Sequence, residues 1–148
     1  MIKQNYYDEV VAVAMAMAIP DVLAKLMGCQ SALETANFTS NAFVQGNNGF
    51  GYKYVEGNKL QVGKSIHSTE NDYYAHYARF DDSIKEVGLW IFRRLKEGRF
   101  PDLNTITTPQ QYAHFLKNCG YYGALEVDYA NGIDSYFKQV NPLNLNNK

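Results

Sequence analysis

Apolar residues along the first quarter of the chain recur at helical spacing, and a first helix is expected from about Tyr6 to Ala18. Pro20 suits the opening turn of a second helix, and Asp21 favours that N-terminus through the helix dipole. The second helix carries Val22, Leu26, Cys29 and Leu33 at i, i+4, i+7 and i+11, the spacing of a core stripe. A second row, Leu23, Met27, Gln30 and Glu34, flanks it. From Asn37 to Asn48 the periodicity gives way to Asn, Ser, Thr and Gly, which predicts a loop. Between Phe50 and Phe80, short Tyr, Val and Ile runs are separated by Glu56-Gly57-Asn58, Gly63 and Glu70-Asn71-Asp72, the pattern of a small antiparallel β region inserted between helices. Ser83 with Glu86 forms a candidate capping box ahead of Ile84, Val87, Ile91 and Leu95 at helical spacing. Thr108, Pro109 and Gln111 make a cleaner helix start, and Gly120 is placed to stop that helix. A last helix near Asp128 to Val140 puts Tyr129, Ile133, Tyr136 and Val140 on one face, with Pro142 beyond its end. The expected class is α+β, predominantly α, in a single domain over 1–148 whose β lobe spans about 50–80.

Composition narrows the function classes. A chain of 148 residues can bury roughly two thirds of its unfolded surface around one core, and 46% hydrophobic with 20% charged residues is the balance of a globular protein. A net charge of -1 gives no electrostatic case for nucleic acid or an anionic membrane. The run from Val10 to Ile19 has the length of a signal-peptide core, but Asp8 and Glu9 cancel the positive region a signal needs. The run is also far short of the roughly 20 residues that span a bilayer, so it reads as a buried helix. Cys29 and Cys119 lack a CxxC spacing and are expected as buried free thiols. The three histidines show no ligand spacing, His67 and Glu70 included, so neither a metal nor another cofactor is expected. Twelve tyrosines fit either a Tyr-rich core and rim or a surface that meets sugars, since the ring stacks while the hydroxyl hydrogen-bonds.

Candidate chemistry begins at Glu34. A carboxyl on the flank of an apolar stripe and near a helix C-terminus meets desolvation and the negative end of the helix dipole, which both raise its pKa. A carboxyl kept protonated near neutral pH can serve as a general acid toward the oxygen of a departing sugar. By position alone an exposed last-turn glutamate with ordinary acidity fits better. A nucleophilic pair of Cys29 with His76 or His114 is the competing cysteine-peptidase reading.

Ser31-Ala32-Leu33-Glu34-Thr35, then Asn47-Asn48-Gly49-Phe50-Gly51-Tyr52-Lys53, and finally Gly120-Tyr121 ahead of Asp128-Tyr129-Ala130, resemble in order and spacing the signature of glycoside hydrolase family 73. These are the flagellar-muramidase-like and autolysin-type N-acetylglucosaminidases. The resemblance covers about Asp21 to Phe137. It implies a lysozyme-like helical domain with a small antiparallel β lobe flanking a substrate groove, and cleavage of the bond after N-acetylglucosamine in peptidoglycan. Glu34 takes the place of the family's catalytic acid. Glu70, in Ser68-Thr69-Glu70, is the counterpart of a β-lobe carboxylate, with Asp72 as fallback. Tyr129, with Tyr121 second, stands for the family's active-site tyrosine, which would position water or the N-acetyl group; Tyr129 could equally be the first core residue of its helix.

Further candidates for the sugar are Asn47 and Asn48, which could bind hydroxyls or set a turn, and Tyr73 and Tyr77, which share one strand face and could stack or pack. Phe50 and Tyr121 complete the expected substrate-binding set, Phe50 as a more structural anchor. Two departures bear on substrate preference: Gly49 stands where the family usually has Leu, which should loosen the loop behind Glu34, and Asn37-Phe38 replaces the common Trp-Gly. The spacing in sequence leaves three mechanisms open: inverting, with carboxyls about 6.5–9.5 Å apart, retaining, with about 5–5.5 Å, or attack by the substrate's own N-acetyl group. Competing functions are a lytic transglycosylase on the same polymer, a wall-binding or virion structural module without turnover, and a peptidase on wall stem peptides. The expected partner is the peptidoglycan glycan strand, met by a monomer or by a component of a phage particle. Without a signal peptide or a separate wall-binding segment in the sequence, a phage lysin, virion component or helper-exported enzyme is expected, made in the cytoplasm and acting at the wall.

Overall fold

In the computed structural model, which describes residues 1–65, 73–99 and 101–140, the helical segments are α1 (Gln4–Ala16), α2 (Asp21–Glu34), α3 (Asn41–Gly46), α4 (Phe80–Lys96), α5 (Pro109–Asn118) and α6 (Glu126–Val140). Between α3 and α4 lie two short strands, β1 (Gln61–Lys64) and β2 (Ala75–Tyr77), and a 3-10 turn at Leu103–Thr105 precedes α5. The chain is thus α+β and predominantly α. Among the described residues no helix is long and apolar enough to cross a membrane.

Helix α2 is the axis of the core because both of its apolar rows find partners. Leu23, Ala24, Leu26, Met27, Cys29, Gln30 and Ala32 are buried, while Val22 and Leu33 of the predicted stripe are only half-buried. The row that was expected to flank the core, Leu23–Met27–Gln30, is therefore the deeper one. Glu34 sits one turn beyond it. Helix α1 packs along α2 and α4, while α6 packs on α2 and α5. This wraps helices around α2 and leaves its C-terminal end facing the β lobe.

Three boundary expectations need correction. The stretch from Asn37 to Asn48 contains α3, capped by Ser40 Oγ accepting from Phe43 N at 3.3 Å. Apolar burial overrides the polar composition there: Phe38, Phe43, Tyr6 and Phe80 form an aromatic cluster with ring centroids 5.0–6.2 Å apart. Ser83 and Glu86 do not cap α4, which starts a turn earlier because Phe80 joins that cluster; both side chains face inward. Pro20 precedes α2 as its cap residue and is not inside its first turn. The Thr108 box does form: Thr108 Oγ1 accepts from Gln111 N at 3.1 Å and Gln111 Oε1 accepts from Thr108 N at 3.2 Å. Gly120, at φ +74°, follows the end of α5 in the left-handed conformation expected of a helix stop.

Among the described residues the paired strands of the β lobe are short. Strands β1 and β2 pair antiparallel with Gln61 opposite Tyr77 and Lys64 opposite Ala75, and the register shifts between Gln61 and Gly63. The segment around Lys53 adds a bridge to Tyr74. Asn48, fully buried, holds this layer to the helical part. Its amide donates to Tyr52 O and Ala75 O, each at 2.9 Å, and its Oδ1 accepts from Phe50 N and Tyr52 N. Glu86 of α4 anchors the lobe from beneath, accepting from Asn58 Nδ2 at 2.6 Å, Gln61 Nε2 at 2.7 Å and the Tyr77 hydroxyl.

Candidate active site

The last residue of α2 and the loop after α3 meet where the helical part faces the β lobe. Gly51 lies directly against Glu34: a Cβ there would stand 3.2 Å from Glu34 Oε2, and the backbone φ of +66° is one that side chains rarely adopt. Close approach and backbone conformation both demand glycine. Gly51→Ala is expected to lower kcat by about ten- to a hundredfold through displacement of the acid. Its stability should fall by about 1 kcal/mol or more because of the positive φ. Turnover and thermal melting check both, and wild-type turnover in this variant would contradict the contact.

Gly49 does not loosen the loop behind Glu34. Ser31 Oγ donates to Gly49 O at 2.6 Å and Gly49 N donates to Ser83 Oγ at 3.2 Å. An added Cβ would come within 2.3 Å of Phe80. The absent leucine is replaced by the Phe80 ring, and the loop is pinned between two serines.

The electrostatics of Glu34 follow from this enclosure. Burial pushes its carboxyl above the usual carboxylate range, and the Tyr129 hydroxyl, acting on it as a side-chain donor, pulls part of the way back. Tyr129 is itself buried and receives Gln30 Nε2 at 3.3 Å, while Gln30 Oε1 accepts from the buried Tyr112 hydroxyl at 2.5 Å. The ring of Tyr122 stacks on that of Tyr129, with centroids 3.8 Å apart and planes at 9°. Burial, with Glu34 beside it, holds the Tyr129 phenol well above its ordinary pKa, so it remains a donor at neutral pH. Tyr121 donates to Phe50 O at 3.4 Å and meets Trp90 edge-on, centroids 5.0 Å apart.

Two cavities flank Glu34. The larger, of about 720 Å³, is walled by Asn41 and Gln45 of α3 and by Tyr74, His76 and Tyr122. The smaller, of about 260 Å³, is walled by Tyr52, Val55, Trp90 and Cys119. Glu34, Gly51, Lys53 and Tyr121 line both. Glu34 thus stands at their junction, where a chain laid across the site would pass over it. The Lys53 ammonium lies 4.6 Å from the centroid of the Tyr74 ring on the β-lobe wall.

The candidates named from the sequence divide by location. Glu34, Tyr129 and Tyr121 come together. Asn48 borders the larger cavity, but its amide is committed to backbone partners. Asn47 takes a left-handed φ of 54° at the end of α3 and donates to Tyr77 O and Ala78 O, so it sets the turn. Phe50 is buried in the core and reaches the wall of the smaller cavity. Tyr77 is buried against Glu86, whereas Tyr73 is exposed beside Lys64, so the two do not form one stacking face. The strand alternation is real with the opposite parity: Tyr74 and His76 face the groove. Glu70, Asp72 and His67 lie outside the described residues. Sequence reasoning passed over Tyr74 and Tyr122 and weighed His76 only as a partner for Cys29, although the tyrosine next to Tyr121 and the even parity of β2 were visible signals. Gln30 and Tyr112 carried none, since both sit at core positions.

Cys119 lines the smaller cavity, while Cys29 lies within the core. Cys29 and Cys119 are free, the first buried and the second half-buried. Burial pushes the Cys29 thiol up to about 12, which leaves almost no thiolate at neutral pH. His114 is engaged with Glu126, Nδ1 to Oε2 at 3.0 Å. No cluster of His, Cys, Asp and Glu among the described residues could hold a metal ion.

A model of the glucosaminidase family, described as mannosyl-glycoprotein endo-β-N-acetylglucosaminidase, matches residues 11–142. No curated protein matches the chain. Among solved structures, a type VI secretion system effector–immunity complex from Pseudomonas protegens contains a similar chain. At 17% identity the similarity covers 88% of this chain and 84% of that one, with a TM-score of 0.60, which shows a shared fold. The family model takes in both lobes and the groove between them, and the chain belongs to the glucosaminidase family, glycoside hydrolase family 73.

Proposed function

We propose that this protein hydrolyses the glycan strands of bacterial peptidoglycan at the cell wall, cleaving the β-1,4 bond after N-acetylglucosamine with Glu34 as general acid. The observation that carries this reading is the position of Glu34 at the junction of two cavities, which suits cleavage within a polymer bearing sugars on both sides. A protonated Glu34 gives its proton to the glycosidic oxygen, the bond to the anomeric carbon breaks, and the carboxylate left behind gains the Tyr129 hydroxyl as donor. Tyr121 and Tyr122 offer aromatic wall to the sugar rings.

Glu34 is the one carboxylate among the described residues that lines either cavity. Two routes then supply the anomeric carbon with its new partner. Glu70 activates water or stabilises the oxocarbenium charge, or the N-acetyl group of the substrate attacks and water opens the resulting ring. Glu70→Gln and Asp72→Asn separate them: a loss of about a hundredfold or more in kcat in either assigns that carboxylate to the reaction, and turnover retained by both assigns the step to the N-acetyl group.

The pH profile tests the role of the acid. Because burial raises the Glu34 pKa, the active protonated form persists above the ordinary carboxylate range. The basic limb of kcat/KM is therefore expected above pH ~4.3, the free glutamate value. A limb at or below that value contradicts Glu34 as the acid.

A further inference from the structure

We propose that Gln30 is a positioning residue for the acid: its amide, held by Tyr112, fixes the direction of the Tyr129 hydroxyl so that this hydroxyl donates to the Glu34 carboxyl. This inference rests on the assignment of Glu34 as the acid. It concerns a side chain on the inner face of α2 that lines neither cavity.

The direction follows from donor and acceptor counting. Tyr112 is fully buried, and its hydroxyl proton needs an acceptor, which Gln30 Oε1 supplies at 2.5 Å. With the oxygen of the amide committed to Tyr112, its NH2 faces Tyr129 and donates to that hydroxyl oxygen at 3.3 Å. A tyrosine hydroxyl has one proton. Since its oxygen already receives Gln30, the Tyr129 proton is left to point away from the amide, and the neighbouring Glu34 carboxyl is the acceptor we infer for it. Were the amide reversed, its oxygen would take the Tyr129 proton, Tyr112 would lose its acceptor, and Glu34 would lose its donor. Helices α5 and α6 thus contribute one residue each, and α2 two, to a chain with a single consistent direction, Tyr112 to Gln30 to Tyr129 to Glu34.

The arrangement bears on proton transfer because the donor favours the ionised acid. The other groups facing Glu34 are Tyr121, from the α5–α6 connection, and Tyr112, both neutral phenols, with the backbone of Gly51 and the cation of Lys53 on the β-lobe side. Tyr129 is the neighbour that offers Glu34 a directed proton, and Gln30 sets its aim.

The test reads Glu34 directly, without turnover. The δ-carbon of labelled glutamate is followed by NMR titration in the full chain, with Glu34→Gln used to identify the Glu34 resonance. Tyr129→Phe is expected to move the Glu34 midpoint up by about one pH unit, the worth of one hydrogen bond to a charged group. Gln30→Met is expected to move it in the same direction, and the double variant to match Tyr129→Phe alone, because both act through one hydroxyl. If Gln30→Met fails to fold, Tyr112→Phe frees the amide oxygen without adding a charge, and it too should raise the midpoint. An unmoved midpoint in the folded Gln30 or Tyr112 variant, or shifts that add in the Gln30–Tyr129 double variant, overturns the proposal. Failure of the underlying assignment is read separately, as peptidoglycan cleavage by Glu34→Gln.

Discussion

Glu34→Gln is expected to lose about 10²–10⁴-fold in kcat, the contribution of a positioned general acid, while becoming more stable at neutral pH. The two outcomes have one cause. The amide keeps the shape of the side chain but has no acidic proton for the glycosidic oxygen. Folding raises the pKa of Glu34 through burial. Below the unfolded value both states are protonated and the group costs nothing. As pH rises from the unfolded pKa through the folded one, the unfolded chain ionises first and stability is lost. Glutamine removes that loss, so its thermal midpoint should exceed that of the wild type at pH 7 and match it in acid. Differential scanning calorimetry at two pH values, with turnover on purified peptidoglycan, checks the pair. An inactive Glu34→Gln that melts lower at both pH values would instead report a damaged fold.

The largest stability effect is expected at Glu86, which never touches the groove. Its carboxyl is nearly fully buried and accepts from Asn58, Gln61 and Tyr77, three residues spread across the β lobe. Glu86→Ala removes the acceptor these donors share, and Gln61 Nε2 keeps only its bond to Lys53 O, at 3.2 Å. At about 1–3 kcal/mol for each buried group left unsatisfied, and with some relaxation of the exposed lobe, a loss of about 3–5 kcal/mol is expected. Glu86→Gln keeps an acceptor oxygen and should cost less. Because the lobe forms one wall of the groove, KM should rise more than kcat falls in any folded Glu86 variant. Urea unfolding and steady-state kinetics measure both effects, and a Glu86→Ala protein of wild-type stability would contradict the anchoring role.

Legibility in the sequence followed the strength of the local signal. Helices with sustained apolar periodicity and defined ends, such as the one opened by Thr108 and closed before Gly120, were readable because caps and packing agree there. Helix α3 was hidden, since its six residues gain their order from the Phe38–Phe43–Phe80 cluster and not from propensity. The inward turn of Ser83 and Glu86 was hidden for a related reason: a capping pattern and a buried hydrogen-bonding pair use the same residue types, and only the tertiary position of Phe80 decides between them.

At the site, the ordered motifs brought Glu34, Tyr129 and Tyr121 to notice. The sugar-binding assignments suffered where a polar or aromatic residue had a structural task in reach. Asn48 ties down four backbone groups, and Tyr77 serves Glu86. The groove is walled instead by Tyr74, His76 and Tyr122, whose exposure depends on the parity of β2 and on the packing of Tyr129. Glu34 itself changed from a residue beside the core stripe to the end of the more deeply buried row, which supplies the desolvation that raises its pKa.

The central claim is tested most directly by the sugar ends that the protein creates. Purified peptidoglycan digested with wild-type protein, reduced with borohydride and analysed by mass spectrometry should yield new reduced N-acetylglucosamine ends, and none with Glu34→Gln. New anhydro ends would assign a transglycosylase reaction, and new reduced N-acetylmuramic acid ends a muramidase; either result, or the same ends produced by Glu34→Gln, would contradict the account.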